Sequence, residues 1–404
     1  MENPKIRFKG FTKDWEQRKL GELGSLKNGM NFSKEAMGHG FPFINLQNIF
    51  GNNVIDVNKL ELADATEKQL LEYSLLKGDV LFVRSSVKLE GVGEAALVPE
   101  TLENTTYSGF IIRFRDEYGL NNDFKKYIFG TQKVRNQIMA QATNSANKNI
   151  SQGVLENLTF EVPSFDEQAK IGEHFSNLDH LITLHQRKCE QTKKLKKYML
   201  QKMFPQNGAK VPEIRFDGFT YDWEQREFSE LYARSSEKND GSIGMDKNIT
   251  VATMQFKNDV KVSTTEYLKT YYTFKLGDIA FEGHQSKEFR YGRFVENDIG
   301  NGIVSHIFAV FRPIQEYDLY FWKYAINNET LMQRILARST KASTMMHDLV
   351  TNDFLNETFL VPSVKEQKQI GAFLNKLDNL ITLHQRKCDE LKKMKKYMLQ
   401  NMFI

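Results

Sequence analysis

The sequence predicts an α+β protein in which two globular mixed α/β domains are each followed by a long helix. Three observations predict this fold class. The sequence contains an internal repeat of two copies, the copies are similar at their ends and divergent in the middle, and each copy ends with a long segment of helical periodicity. With 404 residues, the chain can form two or three domains that each bury a core. We expect the two helices to pack as an antiparallel coiled coil, related by the pseudo-two-fold repeat.

The internal repeat sets the domain organisation. Residues 181–189 (LITLHQRKC) recur unchanged at 380–388, 199 positions later, and residues 15–18 (WEQR) recur at 223–226, 208 positions later. Random drift would not easily leave nine identical residues beside a middle in which little aligns, so we expect two similar scaffold elements and two specialised middles. The predicted domains are residues 1–165, a helix at 166–204, a second domain at 205–364 with a linker at 205–212, and a helix at 365–404.

Each long helix is predicted to start after a Pro-Ser pair, where Ser164 and Glu167 have the spacing of a capping box. Apolar residues then step by four and three positions alternately, which is the period of a coiled-coil seam. Neither helix can bury this stripe alone, so the two are expected to pair. The predicted helix-pairing residues are Ile171, Phe175, Leu178, Ile182 and Cys189 in the first copy, and Ile370, Leu374, Leu377, Ile381 and Cys388 in the second.

Composition limits the class of protein. The hydrophobic fraction is 40%, and no apolar run approaches the roughly 18 residues that a bilayer requires, so no membrane role is predicted. The N-terminus does not resemble a signal peptide, and we expect a cytoplasmic protein. The net charge of +4 permits a nucleic-acid partner without demanding one. His185 and His384 on the seam are interpreted as a polar pair that sets the register, because one His and one Cys per helix is a weak ligand set, so no metal site is predicted.

No catalytic residue is predicted. A methyltransferase would carry an Asn or Asp before paired prolines, yet the eight prolines never occur in tandem, and no glycine-rich phosphate loop is present. Glu366-Gln367-Lys368 matches a nuclease string by chance, since its counterpart at 167–169 lacks the lysine.

The middles combine predicted strands and helices. The predicted strands are Val80–Val83, Ile111–Phe114, Leu158–Val162, Ile279–Phe281, Ile307–Phe311 and Thr358–Val361, and the predicted helical stretches are Asp123–Ala140 and Asp318–Leu336.

The order of a variable module, Pro-Ser, Glu-Gln and a long helix, present twice, resembles that of type I restriction-modification specificity subunits along the whole chain. The segments that carry the resemblance are Phe41–Ile44, Gly78–Arg84, Asn149–Ser151 and Val162–Ser164 through Glu167-Gln168, then Gly277–Ile279 and Val361–Ser363 through Glu366-Gln367. The second copy has Met346-His347-Asp348 near the position of Asn149-Ile150-Ser151, so the loop there is expected to differ.

The resemblance implies a DNA-binding subunit without catalytic activity or a cofactor of its own. Each middle would be a target recognition domain that reads one half of a bipartite site in double-stranded DNA. Two methyltransferase subunits, which supply S-adenosylmethionine and methylate adenine N6, would dock on the helices, and separate restriction and motor subunits would complete the complex. The alternative is a non-catalytic coiled-coil adaptor that binds only proteins.

The predicted DNA contacts are polar or basic residues in loops of the two middles. Arg and Lys can bond guanine, Asn and Gln can bond adenine, and Ser or Lys can bond phosphates. In the first middle they are Asn45, Gln47, Asn48, Arg84, Ser85, Ser86, Lys88, Asn147 and Lys148. In the second they are Gln255, His284, Gln285, Ser286, Lys287, Arg290, Arg293, Lys341 and Thr344.

Overall fold

The computed structural model describes residues 4–143, 145–206, 208–257, 264–343 and 346–403. The chain forms two compact units. Unit 1 consists of residues 1–185 and 386–404, and unit 2 consists of residues 186–385. Each unit therefore combines one globular module with the start of the helix that follows it and the end of the other long helix.

Unit 1 is built around a four-stranded antiparallel sheet with the order β2-β9-β5-β7. Its strands are β1 Glu16–Lys19, β2 Gly24–Asn28, β3 Met37–Ile44, β4 Glu61–Ala63, β5 Val80–Val83, β6 Ser85–Ser86, β7 Ala95–Leu97, β8 Thr106–Tyr107, β9 Ile111–Asp116, β10 Lys148–Asn149 and β11 Thr159–Val162. Its helices are α1 Leu20–Leu23, α2 Glu67–Glu72, α3 Asn122–Ile128, α4 Gln132–Gln141, α5 Gln152–Glu156 and the first part of α6 Phe165–Lys202.

Unit 2 repeats this plan, with the sheet order β13-β20-β17-β18. Its strands are β12 Glu224–Glu227, β13 Tyr232–Ser235, β14 Ile249–Thr250, β15 Gln255–Phe256, β16 Tyr272–Phe274, β17 Ile279–Glu282, β18 Arg293–Glu296, β19 Gly302–Val304, β20 Ala309–Pro313, β21 Thr340–Ala342, β22 His347–Leu349 and β23 Thr358–Val361. Its helices are α7 Phe228–Leu231, α8 Thr265–Leu268, α9 Leu319–Ile326, α10 Glu329–Ser339, α11 Thr351–Leu355 and the first part of α12 Val364–Asn401.

These elements confirm the mixed α/β prediction, with two differences. The strand predicted from Ile307 begins at Ala309, because Ile307 lies in the preceding turn with its side chain exposed. Each predicted helical stretch is two helices. In unit 2 the break falls at Asn328, whose side chain accepts the N–H of Thr330 and caps a new helix.

Within each unit, the two long-helix segments run antiparallel, as predicted. In unit 2, Lys196 pairs with Asp378 at 2.6 Å, and the Cys189 thiol lies 3.8 Å from Gln385 Oε1. Residue numbers increase along the first helix from Cys189 to Lys196, while those of their partners decrease from Gln385 to Asp378, so the helices are antiparallel. In unit 1, the ion pair of Lys395 with Asp179 is the repeat of this contact, also at 2.6 Å.

The predicted seam residues are buried except Ile381, which is half-buried. Ile171, Phe175 and Leu178 belong to the hydrophobic core of unit 1, and their equivalents Ile370, Leu374 and Leu377 belong to the core of unit 2. The start of each seam thus packs against its globular module. His185 lies in unit 1 and His384 in unit 2, both half-buried, and their pairing stays a prediction.

The start of each long helix approaches the module closely because of a glycine. A Cβ on Gly172 would lie 2.6 Å from Asp123 Cβ, and one on Gly371 would lie 2.6 Å from Phe321 N. Both distances are shorter than van der Waals contact, so a larger residue would push the helix away from the module.

A buried ion pair fixes the N-terminal segment of each module to its long helix. Arg7 contacts the two oxygens of Glu167 at 2.6 and 2.8 Å, and Arg215 contacts those of Glu366 at 2.8 and 2.9 Å. The Ser164 hydroxyl accepts the Glu167 N–H at 3.4 Å, as the predicted capping box requires. The Glu167 side chain, which a capping box would turn back to the start of the helix, instead bonds Arg7 of the N-terminal segment.

The residues that follow each long helix complete the core of a module other than the one that precedes the helix. Phe403 packs against Phe124 and Phe175 of unit 1, with ring centroids 5.6 and 5.7 Å apart. Phe204 packs against Phe321 and Trp223 of unit 2, at 5.6 and 6.1 Å. Each unit therefore depends on an aromatic residue from the helix that begins behind the other module.

Glu296 is a buried carboxyl in the core of unit 2. It is 2% exposed, and its oxygens have no hydrogen-bond partner in the part of the chain that the structure describes. Burial raises the pKa of Glu296 well above its usual range, and Asp298 raises it further while Lys323 opposes the shift. The equivalent residue of unit 1 is Leu97, because Ile279 faces Glu296 in the sheet as Val80 faces Leu97.

We expect Phe403→Ala to destabilise unit 1, and Phe204→Ala unit 2, each by about 3–5 kcal/mol, the usual cost of emptying an aromatic site in a core. Hydrogen exchange resolved by peptide would show faster exchange in the strands of the affected unit only. Phe165→Ala is the control, because this side chain is 57% exposed. An unchanged hydrogen-exchange rate in unit 1 of the Phe403→Ala variant would contradict the role of Phe403 in completing that core.

We expect Glu296→Leu to stabilise unit 2 at pH 8 by about 1–3 kcal/mol, because it removes a buried carboxyl without a partner. The unfolded chain releases this proton near pH 4.5, whereas the folded chain keeps it to a higher pH because its pKa is raised. The stability of the unchanged protein should therefore fall as the pH rises above this value. Urea unfolding between pH 5 and 8 should give a smaller fall for the variant, and equal slopes would refute this account.

Candidate nucleic-acid interface

Three predicted loops of unit 1 lie together at one end of the central sheet. Strand β6 pairs with β10, and the Ile150 N–H donates to the Arg84 carbonyl at 3.0 Å. The Gly51 N–H donates to Glu94 at 2.9 Å, which joins the turn after Leu46–Asn48 to the same region. A cavity of about 510 Å³ lies between these loops and is lined by Leu46, Phe50, Ser85, Ser86, Val87, Lys88, Glu90, Gly91, Glu94, Phe110 and Asn147.

Several predicted contacts of unit 1 are accessible in the loops around this cavity, and four of them, Ser85, Ser86, Lys88 and Asn147, line it. Gln47, Lys88 and Asn147 are exposed, and Ser85 and Ser86 are half-buried. Lys148 is half-buried, and its ammonium donates to the Ser145 carbonyl at 2.7 Å. These residues could meet base edges or phosphates from one side of the unit.

Asn45, Asn48 and Arg84 are among the predicted residues of unit 1 whose side chains form hydrogen bonds within the loops. Asn48 is 4% exposed, with its amide donating to the Lys59 carbonyl and its oxygen accepting the Asn45 N–H. The Asn45 side chain accepts the Leu46 N–H at 2.8 Å, and Arg84 donates to the Gly109 carbonyl at 3.3 Å. Asn48 therefore shapes the turn, and its buried side chain is not accessible to a base.

Hydrogen bonds also bring the predicted loops of unit 2 together. The His347 N–H donates to the Gly283 carbonyl at 2.8 Å, which joins β22 to the segment after β17. Arg293 pairs with Glu282 at 2.7 Å and donates to the Ala252 carbonyl at 2.8 Å. Arg293 therefore holds the loop that carries Gln255 in place, and this role, which the sequence did not indicate, occupies its guanidinium.

The remaining predicted residues of unit 2 are exposed. They are Gln255, His284, Gln285, Ser286, Lys287, Arg290 and Lys341. The Gln285 amide nitrogen lies 2.6 Å from His347 Nε2, and the Ser286 hydroxyl accepts the Phe289 N–H at 3.0 Å. Thr344 lies outside the described residues. The two units thus present different polar groups from equivalent loops.

Sequence reasoning missed the apolar part of the surface. Val87 is 78% exposed, Phe110 is 57% exposed and Phe50 is 38% exposed, all at the cavity of unit 1. A sequence does not distinguish an exposed apolar side chain from a buried one, and aromatic residues of the middles are expected in the core. The sequence does place Val87 between Ser86 and Lys88, after the end of a predicted strand, and this position indicates an exposed apolar residue in a loop.

In the part of the chain that the structure describes, none of the helices combines the length and the apolar character needed to cross a membrane.

Two curated relatives are similar to parts of this chain. The putative type I restriction enzyme MjaX specificity subunit of Methanocaldococcus jannaschii is 26% identical over 198 residues, which cover 48% of this chain and 46% of the relative. The EcoKI specificity subunit of Escherichia coli is 28% identical over 151 residues, which cover 37% of this chain and 32% of the relative. The matches thus span less than half the length of these relatives.

Two solved structures share the fold over nearly the whole chain. The S subunit of the type I restriction-modification system from M. genitalium has a TM-score of 0.60 at 16% identity and covers 100% of this chain and 99% of its own. The HsdS subunit from Thermoanaerobacter tengcongensis has a TM-score of 0.52 at 17% identity, with 97% of each chain covered.

A family model described as the type I restriction modification DNA specificity domain matches twice, at residues 12–194 and 221–393. Each match contains one globular module and most of the long helix that follows it. The two matches cover most of the sequence and reproduce the internal repeat, so the chain belongs to the family of type I restriction-modification specificity subunits.

Proposed function

We propose that this chain is the non-catalytic DNA-reading subunit of a type I restriction-modification complex, with one half of a bipartite site bound by each unit. One observation carries the proposal: the two units present different side chains at the same place on the same scaffold. After β5 the first unit has Ser85-Ser86-Val87-Lys88, and after β17 the second has His284-Gln285-Ser286-Lys287. Side chains that differ at matching positions suit two readers of different half-sites.

The roles follow from the chemistry of the exposed groups. Gln47, Asn147, Gln255 and Gln285 can bond adenine, and Arg290 can bond guanine. Lys88, Lys287 and Lys341 are suited to phosphates, which position the subunit without specifying bases. Methylation of adenine N6 would come from partner methyltransferase subunits that carry S-adenosylmethionine, and cleavage from separate restriction and motor subunits. This chain would direct the complex to its site.

The long helices carry exposed apolar residues that suit docking of the methyltransferase. In unit 1, Leu181 and Met394 each precede a seam position by one residue, so in an antiparallel pair they flank the seam on the same side. Leu184 and Tyr397 lie three residues further along that side of each helix. We call these four residues patch 1, and their exposed fractions range from 36% to 58%.

Unit 2 has the equivalent surface, which we call patch 2. It consists of Leu195, Tyr198, Leu380 and Leu383, and each of these is 199 positions from a residue of patch 1. Leu195, Tyr198 and Leu383 are exposed, and Leu380 is half-buried. Two matching apolar surfaces favour two copies of one partner, docked through amphipathic helices.

The protein-only adaptor is the second candidate, since the same patches would serve it. The exposed lysines and glutamines of the loops favour DNA. Binding through phosphates weakens steeply as salt rises, whereas an adaptor would bind no DNA at any salt concentration.

We expect co-expression of this chain with a type I methyltransferase subunit to methylate one split motif with a fixed gap. Single-molecule sequencing of the host genome measures this, and a strain without this chain is the control. A stable complex that produces no new methylation would favour the adaptor.

We expect replacement of residues 1–165 by the equivalent module of a relative to change one half of that motif only. The second half serves as the internal control, because residues 213–362 are untouched. A change in both halves would refute the assignment of one half-site to each unit.

We expect the double variant Leu184→Glu with Tyr397→Glu to lose one of the two methyltransferase copies. Docking at patch 1 would bury both introduced carboxylates in the interface, which is costly. Leu383→Glu with Tyr198→Glu should do the same at patch 2. Native mass spectrometry measures the stoichiometry, and Leu71→Glu is the control, since Leu71 is 80% exposed and lies outside both patches. Two bound copies in both double variants would refute the assignment of the patches.

A further inference from the structure

The cavity of unit 1 has apolar walls, and three of their side chains, Phe50, Val87 and Phe110, are exposed although the cavity lies among loops proposed to bind DNA. We call the surface formed by Leu46, Phe50, Val87 and Phe110 the apolar cleft. Ser85, Ser86, Lys88 and Asn147 form its rim. Large apolar groups that stay in contact with water at one place mark a binding surface, and here the surface continues into the proposed DNA interface.

Two carboxylates determine which part of DNA can enter the cleft. Glu90 and Glu94 both line it, and one oxygen of Glu94 accepts the Gly51 N–H. Lys88 can meet a phosphate at the rim, but a phosphate inside the cleft would be repelled by both glutamates and would find no hydrogen bond on the apolar walls. Base edges, which are uncharged, are the part of the duplex that fits.

The chemistry of the cleft matches one type of base pair. In the major groove, an A·T pair presents the amino group of adenine, which is a donor, and the methyl group of thymine. A G·C pair also presents an amino donor, on cytosine, so a carboxylate does not separate the two pairs, but a G·C pair carries no methyl group for the apolar walls.

We propose that the apolar cleft reads an A·T base pair in the half-site bound by unit 1. The thymine methyl group packs against Val87 and Phe110, and a cleft carboxylate accepts a hydrogen bond from the adenine amino group. This inference rests on the proposed function, and it names the base pair that one surface of unit 1 selects.

The equivalent position of unit 2 has a different form. Ser286 stands where unit 1 has Val87, and its hydroxyl accepts the N–H groups of Glu288 and Phe289 at 3.2 and 3.0 Å. The loop there closes into a polar turn, whereas the loop of unit 1 presents a methyl-bearing side chain. Recognition of a methyl group at this position is therefore expected for the half-site bound by unit 1 and not for the half-site bound by unit 2.

The test uses the complex with methyltransferase subunits and its mapped target duplex, in which each thymine is replaced in turn by uracil, which lacks the methyl group. We expect uracil at one position of the half-site of unit 1 to weaken binding about fourfold, which corresponds to one buried methyl group. Val87→Ala and Phe110→Ala should weaken binding to the thymine duplex to a similar extent and show no further loss with uracil. Leu71→Ala, at a site 80% exposed and outside the cleft, is the control and should bind as the unchanged protein does.

Three outcomes would overturn the inference while the proposed function stands. They are a half-site of unit 1 without an A·T pair, equal binding of thymine and uracil duplexes at every position of that half-site, and cleft variants that lose affinity equally for both duplexes. A complex that binds no sequence preferentially would instead refute the proposed function, and this inference with it.

Discussion

The packing of Phe204 and Phe403 into the two cores is the constraint on which the rest of the structure depends. Each ring lies just beyond the end of a helix of 38 residues. Phe403 completes the core of the module at the opposite end of the sequence, and Phe204 completes the core of the module that comes next in the chain. A helix of that length spans about 57 Å at the standard rise per residue. Its two ends therefore serve different units, and neither half of the chain contains a complete core.

Charged residues extend the seam beyond its apolar part. The heptad pattern places Lys196 and Lys395 on the seam, where a lysine would ordinarily cost stability. In the structure, Lys196 pairs with Asp378 and lies 4.9 Å from the ring of Tyr324, whose hydroxyl bonds the same aspartate at 2.6 Å. The equivalent trio in unit 1 is Lys395, Asp179 and Tyr127. Each trio joins a returning helix to a module by contacts with defined directions, which sets the register more sharply than apolar packing alone.

The fold was largely predictable because an internal repeat and the periodic spacing of apolar residues can both be seen in a single sequence. The identical segments at 181–189 and 380–388 identified the seam, and alternate steps of four and three residues predicted its buried positions. The exchange of helix ends could not be predicted, because nothing in the local pattern shows which core receives Phe204 and which receives Phe403. The predicted domains follow the order of the chain, whereas unit 1 combines residues 1–185 with the distant segment 386–404.

The candidate site was only partly predictable, for a related reason. Loop position and residue type indicated Lys88, Gln285 and their neighbours, and the structure places these at the surface. Asn48, in a turn, and Arg293, at the start of β18, are also polar, but their hydrogen bonds hold the neighbouring loops in shape. Sequence alone cannot separate these two uses of a polar side chain, because the distinction lies in partners that are distant along the chain. Val87 and Phe110 were missed for the opposite reason, since apolar residues are normally buried.

The reciprocal helix ends also explain why the two copies diverged at such different rates along their length. A substitution in a long helix must suit the module behind which the helix begins, the partner helix, and the module in which the helix ends. The loops that carry Val87 and Ser286 meet no such combined requirement. Each half of the chain supplies a residue to the core of the other, so the recognition loops can vary only while the two long helices keep their packing. New DNA targets would therefore evolve by changes in the loops, on helices that change little.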